Sequence, residues 1–380
     1  MSIGSILRRA TDRVMGGRGA HSITVPVMDG ALKPNDRLER AASVAMIEQA
    51  DNILPFDGQI LCSSGERVVA IATDGSARTV FEAGGTVSCL ATDTGAALAI
   101  GIDGKGIRIR GGRHDGAELG ISGSLPLPCP TAALFMGPDR LVVANGSARF
   151  TTSEWQHDLL HGGRSGSVVL FDLAAGSSRI LAENLAFPSG LCADVADPAV
   201  LLVSEAWRHR VIRLGTKDGD IAEALAALPA YPGRIAQGRA GGYWLSCFAP
   251  RSQLQEFVLR EDRYRRKMIA EIDPDFWIAP ALSSGKSFKE PLQAGGVIRL
   301  GVHKPWAPTR SYGLVIRLDA EVQPVWSLHS RANGKRHGIT SVAETEAGLI
   351  ATSKGRGEIV AFAHTGLNEP DDHRLAGEAA

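Results

Sequence analysis

Between residues 49 and 366 a single unit recurs at a spacing of roughly fifty residues, and this repeat limits the chain to very few folds. Each unit opens on a short apolar strand, turns at Gly or Asp, continues in a longer apolar strand and ends in a polar-flanked one. The units fall near 49–84, 85–125, 126–185, 186–230, 231–325 and 326–366. Their opening strands are DNILPF, VSCLAT, TAALFM, SGLCAD, RIAQG and ITSVAE. Units of this kind bury their faces against their neighbours, so a 380-residue chain needs no second core. The expected fold is all-β: a six-bladed β-propeller over 21–366, with a helical and loop insertion in the fifth blade.

Residues 1–20 read as a loosely attached leader and 367–380 as a tail. The stretch HSITVPV (21–27) is the first convincing strand and is expected to complete the last blade, which would hide two exposed sheet edges. Two segments interrupt the repeat. Residues 150–165 (FTTSEWQHDLLHGGRS) split the third unit, and 251–310 split the fifth. Within the latter, 253–271 has helical spacing, with Leu254, Phe257, Val258, Met268 and Ile269 on one side and many Arg and Lys on the other. Both insertions are expected to wall one mouth of the central channel as a lid.

The 41 basic and 41 acidic residues cancel, which leaves no global field to draw nucleic acid or anionic lipid. The five cysteines (62, 89, 129, 192 and 247) show no metal-binding or paired spacing. They read as buried free thiols in a reducing, cytoplasmic compartment. No apolar run is long enough to span a membrane, and the N-terminus has no signal-peptide core. The sequence leaves the oligomeric state open.

The stretch from Asn145 to Leu214 carries a more specific signal. It runs through a Trp-bearing insert, a Gly-Arg-x-Gly turn, the strand VLFDL, then LAFPSG and LLVSEAWRHRVIRL. This order resembles strictosidine synthase-like proteins, six-bladed β-propellers related to paraoxonases and to gluconolactonases of the senescence marker protein kind. The likeness continues more weakly through YPGRIA and GGYWLS (231–246), YGLVIRL (312–318) and 339–362.

Metal-dependent relatives hold calcium at the axis with oxygen ligands. The resemblance puts those ligands at Asp51, at Pro130 or Thr131, at Ser189 and at Gly233 with Arg234. Of these only Asp51 is a good ligand for a hard cation, a remnant at most, and Arg234 would set a positive charge in the cation's place. No cofactor is therefore expected, with calcium the disfavoured exception. Strictosidine synthase itself works without metal through a glutamate, and the resemblance puts that position at Thr340, which cannot transfer protons at neutral pH.

His337 is the nearest titratable neighbour, either a general acid or base or a turn histidine. Arg234 and Asp51 would pair across the channel, or Arg234 would grip a carboxylate or phosphate on a ligand. His157 and His161, with Glu154 or Asp158, have the spacing of a helical metal site, and equally that of a solvated lid helix. The leading expectation is a hydrolase of a lactone, ester or related bond. His337, Asp51 and Arg234 would be its catalytic groups, and Asn52, Trp155, His157, Ser189 and Thr340 would contact a small, anionic substrate. Two alternatives stand beside it: a non-catalytic propeller binding an anionic ligand or a partner protein, and a carbon–nitrogen lyase.

Overall fold

A computed structural model describes residues 25–367, apart from 73, 94–96, 288, 291–297, 300–301 and 304–308. The leader, most of the tail and part of the fifth-unit insertion lie outside the described residues.

Six four-stranded antiparallel sheets form the molecule, and their innermost strands touch one another in a closed cycle, which makes them blades around one axis. The innermost strands are Ala50–Phe56, Val87–Thr92, Pro130–Phe135, Pro188–Ala193, Ala230–Gln237 and Ile339–Glu344. Strand alternation sends every second side chain of the middle strands into the space between blades. There Leu141, Val143 and Val169 of the third blade meet Ile107 and Ile109 of the second. The other face of the third blade, through Val142, Ala144 and Val168, meets Leu201, Val203 and Ile212 of the fourth.

The ring is closed by a strand other than the expected one. Ala42–Met46 pairs with Glu358–Ala363 as the outermost strand of the sixth blade. Residues 25–27 of HSITVPV, the part described, form no strand. Pro26 has no backbone N–H to give to a sheet ladder, which disfavours that segment as a closing strand. The chain between runs across the fifth blade instead. Asn35 fixes it there, donating to the Ser327 carbonyl at 2.9 Å and accepting from the His329 amide at 3.0 Å.

Residues 253–271 also differ from expectation. Two helices, Gln253–Arg260 and Asp262–Glu271, replace one, with the break at Glu261, whose ψ of 76° is not helical. Leu254 and Phe257 are exposed at 39% and 45%, while Gln255 and Glu256 are buried. Arg251 Nε at 3.1 Å and Tyr231 Oη at 3.2 Å hold the Glu256 carboxylate inward, and this polar anchor overrides the apolar periodicity.

Candidate functional site

A β-bulge or similar irregularity near the start of every innermost strand builds the site. Pairing slips between Ala50 and Ile53, Val87 and Cys89, Pro130 and Ala132, Pro188 and Gly190, Pro232 and Ile235, and Ile339 and Ser341. A bulge re-aims the side chain it releases. The residues released are Asp51, Asn52, Ser88, Thr131, Ser189, Gly233, Arg234 and Thr340.

Hydroxyls among them link blade to blade. Thr131 Oγ1 donates to the Pro188 carbonyl at 2.6 Å, Ser189 Oγ to the Pro232 carbonyl at 2.8 Å, and Thr340 Oγ1 to the Asp51 carbonyl at 2.9 Å. Neutral oxygens that would otherwise be free to bind a ligand are thus committed to holding the ring.

The charged residues are arranged differently. Arg234 Nη1 lies 2.7 Å from Asp51 Oδ1 and 3.1 Å from the Thr340 carbonyl, and its Nη2 donates to the Ser88 carbonyl. Arg234 thereby spans the axis, tying the fifth blade to the first, second and sixth. Lys354, just past the sixth blade's second strand, puts Nζ 2.7 Å from Asp51 Oδ2. Burial alone would raise the Asp51 carboxyl, but the Arg234 and Lys354 cations overcome it and hold the group well below the usual carboxylate range. One carboxylate between two cations leaves one positive charge in excess. Two sets of donors have capacity to spare. Arg234 Nε is buried without a partner, and Lys354 Nζ, with three donors, meets one carboxylate oxygen.

Above this floor opens a pocket with a cavity volume of about 80 Å³. Its walls are apolar: Trp155, Phe187, Phe248 and Leu282. Trp155 comes from the third-blade insertion, which Asp103 anchors by accepting from the Thr152 amide at 3.0 Å and the Ser153 amide at 3.1 Å. Trp207 backs the wall, stacked on Phe187 with centroids 4.4 Å apart and donating Nε1 to Asp158 at 2.8 Å. The two insertions meet beside the pocket, where Gln156 donates to the Pro280 carbonyl at 2.7 Å.

The structure thus brings Asp51, Arg234, Trp155, Ser189 and Thr340 together around one pocket. His337, Asn52 and His157 lie elsewhere. His337 is buried in a loop before the sixth blade, bonded to Ser311 Oγ at 2.7 Å and the Arg331 carbonyl at 2.9 Å. Asn52 faces the opposite end of the channel, its Oδ1 accepting from the Leu90 amide at 3.0 Å. His157 packs edge-on against Trp277, 4.7 Å between centroids, and His161 caps its carbonyl rather than a metal. Glu205 is a structural acceptor, taking the Ala186 amide at 2.7 Å and Arg210.

Sequence reasoning missed Lys354, which lies in SKGRGE and reads as part of a turn. The signal was its place directly after a second strand, at the same end of the blade as the bulges. A hard cation does not fit this axis, because the Arg234 guanidinium already holds the carboxylate and two of the carbonyls that such an ion would need. Among the described residues there is no cluster of three or more His, Cys, Asp or Glu that could hold a metal. Burial raises the thiols of Cys62, Cys89 and Cys192 to about 12, which leaves them unreactive.

Comparison with known proteins agrees with this architecture. Residues 136–218 match the profile of the strictosidine synthase family. The chain is 28% identical over 153 residues to strictosidine synthase-like protein 13 of Arabidopsis thaliana, covering 38% of each. It is 26% identical over 115 residues to the adipocyte plasma membrane-associated protein of Danio rerio, covering 30% of this chain and 28% of that one. The match thus spans less than two fifths of the length of either relative. In fold, the chain superposes on a gluconolactonase from Xanthomonas campestris with a TM-score of 0.55 at 13% identity, covering 83% and 86% of the two chains. A second structure, of a candidate gluconolactonase, gives 0.52 at 12% identity over 85% and 92%. Among the described residues no helix is long and apolar enough to cross a membrane.

Proposed function

We propose that this strictosidine synthase-like six-bladed propeller binds a small molecule with an apolar body and one anionic group at its channel mouth. The observation that carries the reading is the excess positive charge of Arg234 and Lys354 over Asp51 on the floor of an otherwise apolar pocket. A carboxylate or other oxyanion would accept from Lys354 Nζ and displace little, while Trp155, Phe187 and Phe248 would cover the apolar body.

Ester or lactone cleavage is the enzymatic extension of this reading. Arg234 and Lys354 would stabilise the developing oxyanion. Water activation is the weak step. Among the described residues Asp51 is the one carboxylate lining the pocket, and two cations neutralise it, so its affinity for a proton is low. The geometry therefore favours recognition over hydrolysis. The position of Thr340 likewise offers no proton carrier for carbon–nitrogen chemistry. The buried, unpaired cysteines fit a reducing, cytoplasmic setting.

Crystals soaked with phenylacetate test the reading. Carboxylate density within hydrogen-bonding distance of Lys354, with the ring against Trp155, is the expected result. An empty mouth at saturating concentration, or binding only elsewhere, would refute it.

A further inference from the structure

A second constellation lies outside the pocket, in the fifth-blade insertion and the loop before the sixth blade. Ser284 Oγ lies 2.7 Å from Ser311 Oγ, and Ser311 Oγ lies 2.7 Å from His337 Nδ1. His337 Nε2 is 2.9 Å from the Arg331 carbonyl, which can only accept. Nε2 therefore carries the ring hydrogen, and Nδ1 of the neutral imidazole accepts from Ser311. Ser311, having donated its hydrogen, accepts from Ser284. Hydrogen-bond direction is thus fixed along the whole chain, from Ser284 to Ser311 to His337. Burial lowers the His337 pKa, which keeps the ring neutral and able to take a proton at neutral pH. Ser311 and His337 are buried, while Ser284, at the head of the chain, is partly exposed.

The residues that follow Ser284 add a second feature. Gly285 has φ of +88°, a left-handed conformation that suits glycine, and the turn points successive amides at one spot. The amides of Gly285, Lys286 and Ser287 lie 3.0, 2.8 and 3.2 Å from the carboxylate oxygens of Glu290. Three converging N–H donors beside a polarised hydroxyl have the composition of an oxyanion hole, here filled by the chain's own carboxylate.

We infer that Ser284 is a nucleophile for acyl transfer from small activated esters, with Ser311 and His337 as its proton relay and Glu290 as a plug in its oxyanion site. In the first step Ser284 Oγ bonds to the ester carbonyl carbon. Its proton passes to Ser311 as the Ser311 proton passes to His337 Nδ1, and the carbonyl oxygen becomes an anion held by the three amides. When the carbon–oxygen bond to the alcohol breaks, the alcohol leaves with the proton returned through the same relay. Water then attacks acyl-Ser284 by the same route, releasing the carboxylic acid and restoring the hydroxyl. This site shares no residue with the anion pocket, so it stands or falls independently of that reading.

The test is acetylation by p-nitrophenyl acetate, followed by peptide mass spectrometry and by p-nitrophenol release. The expected result is an acetyl adduct on Ser284. Freeing the amides by Glu290→Ala should raise the labelling rate several-fold, and Ser311→Ala or His337→Gln should lower it at least tenfold. Ser311→Ala keeps the imidazole and removes one hydroxyl, so it decides the matter if His337→Gln fails to fold. Absence of an adduct on Ser284 in both the native protein and Glu290→Ala overturns the inference. So does labelling of Ser284 that Ser311→Ala leaves unchanged.

Discussion

Asp51 and Glu358 each sit between two cations, and the two clusters serve different ends. Glu358 takes Arg336 at 2.8 and 3.1 Å and Arg356 at 2.8 Å. Arg336 spends its remaining nitrogen on the carbonyls of Leu38, Glu39 and Ala41 at 2.7, 3.1 and 2.8 Å. That cluster ties the segment before the closing strand to the sixth blade and leaves no Arg336 nitrogen without a partner. Asp51 has the same one-to-two charge arithmetic, but Arg234 Nε is unpartnered and Lys354 faces a pocket. What separates a structural cluster from a binding one here is whether its donors are all spent, not its charge.

Breaking each cluster should expose that difference. Arg336→Met leaves a buried carboxylate short of its main partner and frees three carbonyls, and the expected cost is about 3–5 kcal/mol in urea unfolding. Arg234→Met should weaken binding of an aryl carboxylate at least tenfold by calorimetry, about 1.4 kcal/mol, while destabilising less than Arg336→Met. Equal destabilisation by the two would erase the distinction drawn here.

Acid should act on a third kind of buried site before it reaches either carboxylate cluster. Burial, with Arg251 adding to it, lowers the His209 pKa to about 3. The unfolded chain, with an ordinary imidazole near 6.5, therefore binds a proton first, and stability is full above that value and falls as pH drops towards 3. By pH 5.5 the loss from this residue should be about 1 kcal/mol, and His209→Gln should remove that share of the acid dependence while His329, lowered by burial to about 3, keeps its own. Asp51 runs to lower pH. Its contribution is full above the ordinary carboxylate value, where the unfolded chain is ionised too, and is lost progressively as pH falls from that value towards the depressed folded one. The smallest effect expected is that of Trp155→Ala, about 1 kcal/mol in ligand affinity with little change in stability.

The repeat made the ring legible because strand alternation and turn residues are local signals. Closure was less so. HSITVPV is richer in β-branched residues, but Pro26 and the Asn35 anchor on the fifth blade leave the pairing to Ala42–Met46. Asp51 and Arg234 could be placed near the axis because both fall where an innermost strand begins. His337 falls near such a start as well, yet it lies in the preceding loop, and its ring is drawn to Ser311 and Arg331. A loop's direction is set by partners that are distant in sequence, and the repeat says nothing of them. The same limit hid Lys354 and the inward turn of Glu256.

The most direct test of the anion pocket is a calorimetric titration with a matched pair, phenylacetate and its uncharged amide, on the native protein and on Lys354→Met. The account predicts at least tenfold tighter binding of the carboxylate to the native protein, and loss of most of that preference in the variant. Equal affinity for the two ligands, or a preference that survives Lys354→Met and Arg234→Met together, would contradict it.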